Sequence, residues 1–86
     1  MADFEKITDE KMEDVVGGVS RDEALNAALK HAGFKKDEVD FVKKVEMDWE
    51  HGKKIYEVSF YKGGYEYEYD IDAVTGRVLK FEKDWD

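Results

Sequence analysis

The sequence contains no cysteine, and that single absence removes both a disulfide framework and any thiolate zinc site. Nothing about redox compartment follows from it. No apolar run approaches the roughly 20 residues a membrane-spanning helix needs, and the N-terminus lacks the basic and hydrophobic regions of a general secretory signal. Ordinary secretion is excluded, while a dedicated export route stays open. Histidine is scarce: with only His31 and His51, a histidine-based triad or a multi-histidine metal site has too few parts. No enzyme, metal or cofactor is expected. Positive charge is also in deficit, since 14 Lys and Arg face 22 Asp and Glu for a net charge of −8. Such a field repels phosphate backbones and anionic headgroups, so neither nucleic acid nor stable membrane insertion is expected.

What is present suffices for a folded body. Hydrophobic residues make up 42% of the 86 and aromatics 14%, more than a disordered chain of this charge carries. The length allows one small domain and a short appendage. The residues divide there as well: 1–18 read as an appendage and 19–86 as the domain.

In the appendage, Ile7 to Val16 predicts a short helix, with Thr8 as N-cap and Asp9 and Glu10 at the positive end of its dipole. Ile7 and Met12 occupy the positions of a hydrophobic staple. Phe4, Ile7, Met12 and Val15 share one apolar stripe on an otherwise acidic surface. A helix this short is marginal alone in water, so the stripe orders by docking. Gly17 and Gly18 follow at once, offering a side-chain-free extended backbone that a narrow peptidase cleft can grip.

These residues resemble a double-glycine leader, the type recognised by peptidase-containing ABC transporters that export bacteriocins and related peptides. The resemblance rests on Ile7, Thr8, Met12, Val15, Gly17 and Gly18, and it covers Phe4 to Gly18. It implies leader recognition through Phe4, Ile7, Met12 and Val15 in a groove of the transporter's peptidase domain, cleavage after Gly18, and export from the cytoplasm. The chain departs from the pattern at Lys11, where an acid is usual, with Glu10 one place earlier. The competing reading is a structural helix that packs through the same stripe on its own domain, in a non-catalytic binding module. A modified-peptide antibiotic is excluded because the body holds only Ser20, Ser59 and Thr75 and no cysteine.

The body opens with a capping box, Ser20 to Glu23, flanked by Val19 and Ala24 as the staple pair. The helix it starts is predicted over 21–32, burying Leu25, Ala28, Leu29 and Ala32. Gly33 then supplies a left-handed cap, Phe34 folds back onto Leu29, and His31 suits the negative dipole end. From Phe41 the hydrophobic period becomes two. Turns at His51-Gly52, Gly63-Gly64 and Ala73 to Gly76 divide the remainder into four antiparallel strands. The expected fold is therefore α+β, one helix on a four-stranded meander preceded by the short leader helix. Two-residue hairpins pair Met47 with Tyr56, Val45 with Val58, Phe60 with Tyr67, Val58 with Tyr69 and Tyr56 with Ile71. The last strand is expected to place Leu79 beside Tyr69, Phe81 beside Tyr67 and Lys80 opposite Glu68, through a five-residue connection with Gly76 in a bulge. Lys43, Lys44, Lys80 and Lys83 then guard the edges.

From Ser20 to Phe81 the sequence resembles the PepSY family of peptidase propeptides and exported regulators. The likeness is carried by Asp22-Glu23-Ala24, by the run Lys53 to Phe60, and most specifically by the run Tyr65 to Gly76. It implies a helix on one sheet face, an extracytoplasmic setting and, in some members, restraint of a secreted peptidase. No catalytic residues come with it.

The same registers set Glu46, Glu57 and Asp70 in one cross-strand row, where like charges oppose. Lys44 and Lys80 are placed to screen it diagonally as an ordinary solvated face. A weak calcium site or a surface for a basic partner are the alternatives. Trp49, beside a turn, and Trp85, in a charged tail, are candidates for exposed binding aromatics.

Overall fold

A computed structural model describes residues 18–85 of the protein. Phe4, Ile7, Met12, Val15, Gly17 and the expected leader helix lie outside the described residues. The elements run α1 (Arg21–Ala32), a 3₁₀ turn (Lys36–Glu38), β1 (Phe41–Glu50), β2 (Lys53–Lys62), β3 (Tyr65–Asp72) and β4 (Val78–Trp85). The strands form one antiparallel sheet in the order β1-β2-β3-β4. With α1 on one face, this is the α+β arrangement expected.

Each end of α1 is closed by the residues the sequence points to. Ser20 Oγ accepts from the Glu23 amide at 3.1 Å and Glu23 Oε1 accepts from the Ser20 amide at 2.8 Å, so two of the helix's orphan donors are satisfied reciprocally. At the other end Gly33 sits at φ 86°, a conformation that a Cβ disfavours. From there its amide reaches the Lys30 carbonyl at 3.1 Å while the Phe34 amide reaches the Leu29 carbonyl at 3.0 Å, a Schellman ending.

The core lies between α1 and the sheet. Ala24, Leu25, Ala28 and Leu29 of the helix meet Tyr56, Val58, Phe60, Tyr67, Tyr69 and Ile71 of β2 and β3. Ala32 is only half-buried, at the margin of this cluster rather than inside it. Phe34 reaches past the helix end and stands edge-on to Tyr67, ring centroids 5.4 Å apart. Small side chains on the helix let it sit close over the aromatic floor. The two central strands thereby carry the burial, and the outer two are largely exposed.

The first two hairpins have the predicted registers, with Met47 opposite Tyr56, Val45 opposite Val58, Phe60 opposite Tyr67 and Tyr56 opposite Ile71. His51 takes φ 52° and Gly52 φ 77°, the paired positive angles of a tight hairpin whose twist matches its strands. The last hairpin differs from expectation. Phe81 lies opposite Tyr69 and Lys80 opposite Asp70, not opposite Tyr67 and Glu68. The turn closes earlier than expected, with the Asp72 amide donating to the Arg77 carbonyl at 2.8 Å and the Gly76 amide to the Asp72 carbonyl at 2.8 Å. Gly76 has the predicted positive φ, 81°. The bulge, however, falls at Leu79, the extra residue between Val78 and Lys80. Leu79 is consequently not beside Tyr69 in the core and stays 46% exposed.

Candidate functional site

Two regions gather the residues that sequence reasoning singles out: the sheet face opposite α1, and the point where the described chain enters the domain.

The sheet face opposite α1 is polar because strand alternation sends every second residue there. It carries the carboxylates of Glu46, Asp48, Glu50, Glu57, Glu66, Glu68, Asp70, Asp72, Glu82 and Asp84 against the amines of Lys43, Lys44, Lys53 and Lys80. Glu46, Glu57 and Asp70 do form one row across β1, β2 and β3. The row continues into Lys80 of β4, directly opposite Asp70, so Lys80 screens in-line and not diagonally, whereas Lys44, paired with Ser59, reaches Glu57 on the diagonal as expected. Lys44 binds Glu57 at 3.0 Å and supplies the second compensation. Burial raises the Asp70 pKa and Lys80 opposes that rise.

A second cluster is set by the bulge at Lys43, which turns an edge lysine inward over the face. Lys43 donates to Glu66 at 3.2 Å and Ser59 donates to the same oxygen at 3.0 Å. These hydrogen bonds, Ser59 first, lower the Glu66 pKa. A carboxylate held ionised in this way is a poor base, so the Ser59–Glu66 pair lacks the activation a serine nucleophile requires. Burial and the neighbouring Glu66 raise the pKa of Glu68, and Glu82 opposite it adds to the rise. The carboxylates of Glu68, Glu82 and Asp84 lie within 4.8 Å of one another. Three exposed or half-exposed carboxylates offer fewer oxygens than the six to eight that calcium takes.

At the edge of this face Asp72 accepts three hydrogen bonds. Asp72 Oδ1 accepts from the amides of Val74 at 2.8 Å and Thr75 at 3.0 Å, and Oδ2 accepts from Lys53 at 3.0 Å. Those bonds, the two backbone amides before the lysine, hold its pKa down to about 2. The turn carboxylate is only 6% exposed. Its role follows from an Asp placed two and three residues before amides in a tight turn, a signal present in the sequence. A family profile described as peptidase propeptide and YPEB domain matches residues 18–82, a span that includes this turn.

The chain belongs to the PepSY family. No curated protein and no solved structure matches it. PepSY domains are propeptide-like and inhibitor-like modules and are generally non-catalytic. In this PepSY domain Val19 is, among the described residues, the first that hydrogen bonds anchor. Its amide donates to the Ala73 carbonyl at 2.8 Å, and its own carbonyl accepts from the Tyr56 hydroxyl at 3.0 Å. Gly18 lies just outside these bonds.

Two contacts escaped sequence reasoning. His31 shares a hydrogen bond with the Tyr69 hydroxyl at 3.0 Å, so it ties α1 to β3 besides facing the helix dipole. Burial pushes the Tyr69 pKa up to about 12, which keeps that hydroxyl protonated. Ile55 is 2% exposed on the polar face, where it and Leu79 line a shallow cavity of about 350 Å³. Only the Leu79 bulge brings that leucine to this face. Trp49 and Trp85, the aromatics that sequence reasoning marked as candidates for exposure, are 66% and 72% exposed, and Phe41 and Phe81 are exposed as well.

Proposed function

We propose that the protein is the precursor of a small exported PepSY domain, delivered by a double-glycine leader to a peptidase-containing ABC transporter and cut after Gly18. The observation that carries this reading is the position of the first anchors. The Val19 amide and carbonyl are both bonded to the domain, at 2.8 Å and 3.0 Å, and the capping box follows at Ser20. A cut after Gly18 therefore removes nothing that these bonds need, and the new ammonium on Val19 remains a donor to Ala73. The stripe of Phe4, Ile7, Met12 and Val15 then supplies recognition and Gly17 and Gly18 supply the grip. In this reading the chemistry is done to the chain, inside the cell, before export.

Incubation with a double-glycine peptidase domain, followed by mass measurement, tests this. The expected product begins at Val19 and disappears when Gly17 is replaced by leucine. An intact chain under conditions that cleave an established leader overturns the reading. The family match also favours a role for the released domain as a restraint on a secreted peptidase. Absence of inhibition across secreted peptidases at high micromolar domain would sink that second role.

A further inference from the structure

Among the described residues, one patch on the α1 side of the sheet is left uncovered. Met47 and Trp49 point to that face from β1, opposite Tyr56 and Lys54, and they are 49% and 66% exposed. Single exposed apolar residues need no explanation, but these two are neighbours on one face next to buried Tyr56. Val45, two residues before Met47 on the same face of β1, lines a cleft of about 440 Å³ with Ser20, Arg21 and Asp22 of the first turn of α1. The described chain enters at this place. Tyr56, which bonds the Val19 carbonyl, is the direct cross-strand partner of Met47. The Val19 amide bonds Ala73, the Ala73 amide bonds the Lys54 carbonyl and Lys54 faces Trp49, so whatever precedes Gly18 starts two strand spacings, about 10 Å, from the patch.

We infer that residues 4–15 of this chain cover that patch, packing the apolar stripe of Ile7, Met12 and Val15 onto Met47 and Trp49 until the leader is removed. Three observations select this occupant. The segment is tethered two strand spacings from the patch, so its local concentration there far exceeds that of any free partner. It presents apolar side chains on one side, which match the patch in chemistry. Its charge also fits only this side of the domain. Residues 1–17 hold six carboxylates against two lysines, and the opposite sheet face, with its ten carboxylates, repels them. Lys54 lies beside Trp49 on the α1 side, and Arg21 reaches over the edge of β1 to the Val45 carbonyl. Both cations lie on the side that would attract an acidic segment.

The inference rests on the leader reading and adds regulation to it. The stripe cannot sit on Met47 and Trp49 and in a peptidase groove at once, so docking at home lowers its apparent affinity for the transporter by the fraction docked. Cleavage then removes the cover and opens Met47 and Trp49 on the released domain.

Tryptophan fluorescence of the full chain tests the contact without any peptidase. In a Trp85→Phe background Trp49 is the only indole. The expected result is a blue-shifted emission and weak acrylamide quenching of Trp49, both lost in the full-length Met12→Asp, Val15→Asp variant and independent of protein concentration. These leader substitutions leave the domain's own core intact, so unfolding is not a confounding cause. Identical emission and quenching with and without the stripe overturns the inference. A shift that grows with concentration overturns it too, because a second copy is then the cover. Failure of cleavage with the shift intact would sink the transporter reading alone, whereas normal cleavage without any shift would sink only the docking.

Discussion

Asp72 closes the turn between β3 and β4 with a single carboxylate shared by two amides and Lys53. Hydrogen bonds to an ionised acceptor are the stronger kind, and the amides lose their partner if the carboxylate goes. Asp72→Ala is expected to cost about 2 kcal/mol, read as a lowered urea midpoint with unchanged slope. The pH dependence has a definite sign. The Asp72 pKa is lowered from its ordinary 3.8 to about 2, so its contribution is fully present above pH 3.8 and is lost as pH falls towards 2. Glu68 and Asp70 are shifted the other way, and protonating them favours the folded state as pH falls through their raised values. Stability in the Asp72→Ala variant should therefore fall less than in the parent between pH 4 and pH 2. Parallel loss in both, followed by circular dichroism, would assign acid unfolding to other groups.

The last strand shows why register is a property of an element and not of its residues. Moving Phe81 opposite Tyr69 leaves Leu79 bulged, and it puts Lys80 at the end of the row of Glu46, Glu57 and Asp70. Phe81 packs against Tyr69 with centroids 4.9 Å apart and also lies 5.4 Å from His31. Those contacts favour the observed pairing over the expected one, in which Lys80 faced Glu68. The row then ends in an opposite charge, where a same-sign neighbour is unfavourable. Lys80→Glu is expected to destabilise by about 0.5–1 kcal/mol, and Lys80→Met by less, in urea titrations at low salt. Equal losses from both variants would show that the lysine acts through its aliphatic stem and not through its charge.

Across the whole domain, charge is segregated. The sheet face opposite α1 holds ten carboxylates and four lysines, whereas the remaining described residues hold more cations than acids. Repulsion on that face is screened as the Debye length falls from about 30 Å to about 8 Å between 0.01 M and 0.15 M salt. The protein should accordingly gain stability over this range, opposite to a domain held by surface ion pairs. A melting temperature that falls with added sodium chloride would contradict this.

Much of this fold was legible because local chemistry decided it. Ser20 to Glu23 set the start of the helix, Gly33 its end, and His51-Gly52 and Gly63-Gly64 each fixed a two-residue hairpin whose register then followed by counting. The face bearing Glu46, Glu57 and Asp70 followed from the same alternation. The β3–β4 register was not legible, because counting across a longer turn fails when the turn's hydrogen bonds, here through Asp72, close it early and a bulge at Leu79 absorbs a residue. Sequence singled out Trp49 and Trp85 as candidates for open aromatics, and both are exposed, but it did not reveal that Met47 would stay open beside Trp49. Trp49 and Met47 alternate onto the core face as correctly as Tyr56 does, but burial depends on how far α1 reaches. The sequence by itself determined the elements, their caps and the signs of charge on each face, since these are contests between neighbours along the chain. Tertiary structure alone decided what a twelve-residue helix could cover, leaving Met47 and Trp49 exposed two strand spacings from the point where the chain enters.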